Sequence, residues 1–271
     1  MVNDQEDLTR KITHEDYGKA EMGLSKMATI IEKRIYEVPK DLTVLEIKKA
    51  KIFTYATDNF IKGIDPTKLL APIAGGCSLI MVIIFLTSLD EDLNWYWISI
   101  FILCIISTIF FAVFHFTKPK KERILNRKDG LVTIEGAYYQ PNITMPFDKA
   151  LFCFVTGGDD AGGFHLHMIR PKNYTYSIFG AGFTMYNDMS FFTWYMDKNR
   201  PLPPGSAFDP YREDDFERRK AAGFPKPLYP SSVPTPEATP EQQAERAKYW
   251  NEELFIDEED GKEKMRITYF E

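Results

Sequence analysis

The sequence predicts an α+β membrane protein, a two-helix transmembrane hairpin with a cytoplasmic β-rich domain and a C-terminal helix. Three observations predict it: the placement of charge, the basic residues that flank the apolar block, and the short apolar runs that follow it. The 271 residues carry 33 Lys+Arg against 39 Asp+Glu, for a net charge of −6 and a mean hydropathy of −0.28, which on average is an ordinary soluble chain. The average conceals an apolar insert. From Leu69 to Thr117 the only formal charges are Asp90, Glu91 and Asp92. An aromatic content of 14% argues against a disordered polymer, 3 Cys against a disulfide-rich miniprotein, and a single apolar block against a many-span transporter. The acidic balance argues against nucleic acid as a partner.

Leu69–Leu89 is 21 residues without a charge, and Leu93–Phe116 is 24 with only His115 near its end. At about 1.5 Å per residue each can cross a hydrocarbon core of about 30 Å, so the lipid bilayer is the first expected partner. The first 20 residues are polar, so no cleavable signal peptide is expected. Lys62 and Lys68 precede the block, Lys118, Lys120, Lys121 and Arg123 follow it, and the connecting turn has no basic residue. Positive charge collects on the cytoplasmic side, so both termini are expected there, in a multi-pass topology. Trp95, Tyr96 and Trp97 open the second span at the outer headgroup level, while Lys118, Lys120, Lys121 and Arg123 form the inner interface. Ala71/Gly75 and Ala74/Ser78 put small residues four apart, where another helix can approach. No ionisable group lies deep in either span, which suits an anchor better than a transport path. Cys77, Cys104 and Cys153 are expected to be free thiols.

Residues 1–68 read as an N-terminal helical segment, with Met22, Leu24, Met27, Ile30, Ile31 and Ile35 on one face until Pro39. Leu42–Phe60 either packs on the later domain or lies on the inner leaflet, and packing is preferred because Glu46 and Asp58 dilute its lysines. Residues 118–200 read as short strands: Ile124–Asn126, Leu131–Ile134, Ala137–Tyr139, Ile143–Phe147, Leu151–Thr156, Phe164–Ile169 and Tyr174–Phe179. Asp129-Gly130 is a turn between the first two, since Gly accepts positive φ. A helix follows at Tyr186–Lys198, and about seven strands closed by one helix is the element order of a pleckstrin-homology-like split barrel. Residues 201–240 hold 10 of the 17 prolines and read as an extended arm laid on the domain or on a partner. Residues 241–271 read as a C-terminal helix and hairpin: Thr239-Pro240-Glu241-Gln242 is the start signal of a helix running to about Glu253, and Asp260-Gly261 turns the terminal hairpin.

The residues supply no catalytic constellation. His165 and His167 share a strand face with Asp159 and Asp160 nearby, but zinc needs a third ligand, so no metal or other cofactor is expected. The glycines of Gly157–Gly163 precede a strand, not a helix, so phosphate binding lacks a helix N-terminus there. Glu213, Asp214, Asp215 and Glu217 lie beside Arg218, Arg219 and Lys220 as a solvated helical turn. The aromatic and basic residues of the arm, Phe208, Tyr211, Arg218, Arg219, Phe224 and Tyr229, are the candidate anchors for a protein partner.

Arg123–Gly130 directly after a two-span hairpin, then Phe192–Asp197 with Arg200–Pro204, then Gly223–Pro227, resemble uncharacterised bacterial inner-membrane proteins encoded beside type VI secretion effectors. The resemblance implies an inner-membrane-anchored cytoplasmic module of interbacterial competition that either protects the cell against a toxin or assists its handling, with a toxin or secretion component as the protein partner; with no catalytic constellation, a non-enzymatic immunity protein is the reading. A membrane adaptor, whose β domain binds lipid headgroups or a membrane partner, is the alternative.

Overall fold

The computed structural model describes residues 7–18, 29–49, 52–65, 70–87, 95–154, 165–171, 176–180, 184–256 and 263–269. The chain is a mixed α+β protein that divides into two compact units. The larger comprises Met1–Ile64, Glu122–Ile134 and Ile143–Glu271. The smaller comprises Asp65–Lys121 and Glu135–Asn142.

The larger unit is built on two antiparallel sheets. One has the order β2 (Phe53–Ala56), β3 (Phe60–Gly63), β4 (Arg123–Asn126), β5 (Leu131–Ile134), β6 (Ile143–Pro146). The other has the order β1 (Thr29–Ile31), β7 (Phe152–Phe154), β8 (His167–Ile169), β9 (Tyr176–Ile178). The turn between β4 and β5 forms as its Asp-Gly predicts: Gly130 sits at φ +70°, and Asn126 and Asp129 exchange two hydrogen bonds of 2.8 and 3.0 Å. β6 falls within the strand expected at Ile143–Phe147, but Ala137–Tyr139 is a turn instead of a strand, with Tyr138 at φ +43°.

Two expectations for residues 1–68 are corrected. Thr29–Ile31 is a strand paired with β7 through Ile31↔Phe152, not the end of a helix, because the β-branched run favours extended backbone when a sheet edge is available; Met22, Leu24 and Met27 lie outside the described residues. Nor is the segment separate. β2 and β3 supply two of the five strands of a sheet, and Leu42, Phe53 and Phe60 are buried, so Leu42–Phe60 packs on the domain, apart from a short helix α1 (Val44–Lys48).

Between the sheets' strands and the following arm lies a helix labelled α4 (Met185–Met196), with Thr184 as N-cap accepting from Asn187 N–H at 3.2 Å. Ten of its twelve residues are buried. Phe191 meets Phe53 of β2 at 5.9 Å, and Phe192 meets Phe179, next to β9, at 4.7 Å, so one helix fills space against both sheets. Polar groups on it are used as well: Tyr195 Oη donates to Thr57 O (3.1 Å), Trp194 Nε1 to Pro201 O (2.7 Å), and Ser190 Oγ accepts from Tyr36 N–H (2.9 Å).

Residues 201–240 are laid on this unit, and they are more regular than prolines alone suggest. Asp209–Tyr211 is a 3₁₀ turn leading into α5 (Arg212–Ala221), which fits in the proline-free interval between Pro210 and Pro225. Ile35 and Ser231 form a parallel bridge, with Ser232 N–H donating to Ile35 O at 2.7 Å. The last helix, α6 (Pro240–Arg246), starts at the predicted Thr239 cap but stops well short of Glu253, because the hairpin strands β10 (Trp250–Ile256) and β11 (Glu263–Tyr269) begin at Trp250.

The smaller unit contains α2 (Leu70–Thr87) and α3 (Trp95–Thr117). Among the described residues α3 is the helix long and apolar enough to cross a membrane; the fully described part of α2, Ala71–Thr87, falls short. The two pack antiparallel through Ser78 Oγ···Ser107 Oγ (2.8 Å), Phe85 against Trp97 (5.9 Å), and Gly75, where an added Cβ would lie 3.2 Å from Phe111 Cβ. Small residues on α2 thus receive α3 of the same chain, as their spacing predicts. The Asp90–Asp92 turn lies outside the described residues.

Gly205 in the larger unit is the strictest backbone constraint. Its φ is +122°, and a Cβ there would fall 2.3 Å from Leu42 O. Gly205→Ala is expected to destabilise the protein by at least about 2 kcal/mol, read from urea or thermal unfolding in detergent. An unchanged unfolding midpoint would contradict this close approach.

Candidate functional site

The expected interface residues separate into two groups. Trp95, Tyr96 and Trp97 open α3 and are exposed, ring against ring (Trp95–Tyr96 6.4 Å, Tyr96–Trp97 5.6 Å). At the other end Lys120 is exposed, but Lys121 is not a headgroup-facing lysine. Its ammonium is buried and donates to Gly136 O (2.7 Å) and Gln140 O (2.6 Å), because a buried charge must find acceptors close by. Lys118 is largely covered, 3.9 Å from Asp65 and over the Phe114 ring. Arg123 lies in β4 over Phe179 at 5.7 Å, held by the sheet. Of the four predicted basic interface residues, Lys120 alone is classed as exposed.

The turn that Lys121 holds carries aromatic residues that the sequence reading assigned to a strand. Tyr138 and Tyr139 are both exposed; the Tyr139 ring meets Phe114 edge-on at 5.2 Å and its hydroxyl lies 3.2 Å from Thr117 Oγ1. A Cβ on Gly136 would fall 2.0 Å from Pro141 O, so glycine is required to close this turn. The Gly136…Pro141 bracket around two tyrosines was the signal that marks it as a turn.

The expected anchors of the arm are mostly not on the surface. Phe208 packs on Tyr195 and Phe191 in the main core, and Phe216, Phe224 and Trp250 form a smaller one. Phe208, Phe224 and Arg219 are therefore corrected from anchors to interior residues, and Tyr211 and Tyr229 are half-buried. Arg218 stays exposed. Nor is the acidic and basic run of α5 a solvated turn: helical spacing puts Asp215 and Arg219 on its inner face with Phe216.

A buried ionic lattice results. Asp215 accepts from Arg127 Nη1 and from Arg218 Nη2 (2.7 Å) at one oxygen and from Arg219 Nε (2.9 Å) at the other. Arg219 then makes a fork of two 2.7 Å bonds to Glu237, which also accepts from Arg246 Nη1 (3.1 Å). Arg246 stacks on Trp250 at 4.2 Å. In a second cluster Arg200 bonds Asp197 (3.2 Å), Thr235 Oγ1 (2.8 Å) and Glu252, and Arg127 Nη2 donates to Arg200 O (2.6 Å), joining the two. Burial pushes the Asp215 carboxyl up, but Arg127 and Arg219 outweigh it and hold the pKa below the ordinary 3.8. Asp197, with fewer cations, is raised by burial despite Arg200. The same burial lowers Arg246.

Beside this lattice is a pocket of about 380 Å³, lined by Asp58, Arg127, Lys128, Lys198, Asn199 and Arg218 among others. Its position follows from the fold: Lys128 is in the β4–β5 turn, Lys198 just past α4, and Arg218 on α5. A second hollow of about 230 Å³ lies between α2 and α3, lined by Ala71, Gly75, Phe111 and His115 and almost wholly apolar. His165 and His167 share a hydrogen bond through the His165 carbonyl (2.8 Å), and Asp159 and Asp160 lie outside the described residues. No group of three His, Cys, Asp or Glu able to hold a metal occurs among the described residues. Burial raises the Cys153 thiol to about 11, which makes it a poor nucleophile. No protein-family model, no curated protein and no solved structure matches the chain.

Removing one partner from a buried ion cluster leaves the others uncompensated. Asp215→Asn is therefore expected to cost about 3–5 kcal/mol in chemical unfolding followed by tryptophan fluorescence. The pH dependence has a definite sign. Because the folded carboxyl titrates below 3.8, its contribution is present above that pH and is lost as the pH falls through the lowered value, a loss the Asn variant lacks.

Proposed function

We propose that this chain is a bacterial inner-membrane protein in which α2 and α3 cross the bilayer as a hairpin, with both termini in the cytoplasm, anchoring a non-enzymatic binding module. The observation that carries this reading is the surface of the smaller unit. Along α3, Leu103, Ile106, Ile109 and Phe116 are exposed, with Phe116 at 85%, and so are Ile73, Ile80 and Ile83 of α2. Isolated exposed apolar residues are common, but a continuous apolar coat around two helices is stable only in lipid or under a covering protein. The absence of Lys and Arg from the connecting turn, against their abundance on both flanks, supports the hairpin orientation. Trp95, Tyr96 and Trp97 at one end and Tyr138 and Tyr139 at the other then form the two aromatic belts.

The larger unit is read as a pleckstrin-homology-like split barrel, on the support of two antiparallel sheets, the meander β2 to β6 and the sheet in which β1 lies beside β7 to β9, whose aromatics are joined by α4. Its proposed role is immunity against a type VI secretion toxin, which rests on the resemblance of Arg123–Gly130, Phe192–Asp197 and Gly223–Pro227. With Phe208, Arg219 and Phe224 inside the fold, the surface left to such a partner from the arm is Tyr211, Arg218 and Tyr229.

Two experiments test this. A reporter enzyme active only outside the cytoplasm, fused after Glu271, is expected to stay silent, and an active fusion overturns the topology. Deleting the gene while retaining the adjacent effector gene is expected to poison the cell; a healthy deletion strain removes the immunity role but leaves the membrane anchor standing.

A further inference from the structure

The pocket lined by Arg127, Lys128, Lys198 and Arg218 has the chemistry of an anion site, and it was invisible in the sequence because its cations come from three separated stretches of chain. We propose that it binds a phosphate group, either free or carried on a phosphomonoester such as a lipid headgroup. This goes beyond the anchoring role and does not depend on the identity of a protein partner.

Charge is the first argument. The lattice and the pocket wall together hold the cations Arg127, Lys128, Lys198, Arg200, Arg218, Arg219 and Arg246 against Asp58, Asp197, Asp215, Glu237 and Glu252, leaving a charge of +2. The four carboxylates other than Asp58 are bonded to five arginines, Arg127, Arg200, Arg218, Arg219 and Arg246, and Lys128 and Lys198 in the pocket wall add two more positive charges; Asp58 itself accepts from Asn59 Nδ2 at 2.9 Å. The fully exposed Asp7 acts on Lys128 from the solvent side, where screening weakens it.

Donor supply is the second. Arg127 is 98% buried at its side chain, uses Nη1 on Asp215 and Nη2 on the carbonyls of Asp197 and Arg200, and its Nε has no hydrogen-bond partner among the described residues. A buried donor of this kind is costly unless something accepts from it. Arg218 spends only Nη2, on Asp215 and on Lys198 O, so its Nη1 and Nε lie outside those bonds. Lys198 is exposed and forms no ion pair among the described residues. Two guanidinium groups supply fixed N–H directions and two ammonium groups supply mobile charge, and four cations against Asp58 suit the double charge of a phosphate better than the single charge of a carboxylate. Size is the third argument: about 380 Å³ falls in the range of about 300–1,000 Å³ of small-molecule sites and leaves room for a substituent on the phosphate.

The test uses the full chain in non-ionic detergent at low ionic strength. Inorganic phosphate is titrated by calorimetry, and short-chain phosphatidic acid below its micelle concentration is titrated in parallel. Saturable binding of at least one probe is expected, weakened at least about tenfold by Lys198→Glu and by Lys128→Glu, both exposed positions, and unchanged by Lys248→Glu outside the pocket. Tighter binding of phosphatidic acid identifies a headgroup as the source, and tighter inorganic phosphate a soluble one. Binding by neither probe, or binding that both charge reversals leave unchanged in variants with wild-type unfolding midpoints, overturns the proposal.

Discussion

Asp215 accepts hydrogen bonds from three arginines, two on its own helix and one from far earlier in the chain, and this carboxylate ties α5 to the β4–β5 turn. Arg127 comes from the β4–β5 turn, while Arg218 and Arg219 come from the same helix as Asp215 itself. Through Arg219 the contact continues to Glu237 and Arg246, and through Arg127 to the backbone of Asp197 and Arg200. A segment with ten prolines has few backbone donors with which to join a sheet, so it must be held by side chains. Buried charge does so because each guanidinium can satisfy several carbonyls and carboxylates at once.

Such a lattice is not a cheap source of stability. Taking eight charged side chains out of water costs several kcal/mol per ion before their attraction is counted, and apolar replacements of the same volume often match or exceed the buried pairs. What the lattice contributes is uniqueness. A misplaced arm would strand Arg219 or Arg246 without an acceptor, a penalty that apolar side chains sliding over one another do not carry. The opposite shifts of Asp215 and Asp197 express the same balance: where three cations converge the carboxylate is favoured, and where one does burial prevails.

How far the sequence could be read depended on the range of the interaction. β4, β5, α4 and the cap of α6 were legible because alternation, an Asp-Gly turn and a Thr-Pro start are local signals. β1 was misread because Ile30 and Ile31 fit a helical face as well as a strand, and only β7, more than a hundred residues later, decides between them. Phe208 and Arg219 read equally well as surface anchors, because aromatic and basic residues mark both interfaces and arginine-lined interiors. The buried partners of Arg219, Asp215 four residues before it and Glu237 eighteen after it, show which it is. The candidate anion pocket had no linear signature at all.

The apolar hairpin is inserted between two strands that pair directly. Gly63 of β3 is opposite Arg123 of β4, so 59 residues close this connection, against the four of the β4–β5 turn. Loop-closure entropy rises by about 0.6 kcal/mol per doubling of length, so this costs roughly 2.4 kcal/mol over the short turn, a penalty one well-packed strand can offset. The larger consequence is order. β1, β2 and β3 leave the ribosome before the hairpin, yet β1 pairs with β7 and β3 with β4, both of which follow it. The N-terminal strands therefore have no partners but one another until the apolar helices have been made. The two apolar helices are thus complete before either sheet can close, and the Arg127–Asp215 contact, which needs α5, comes later still.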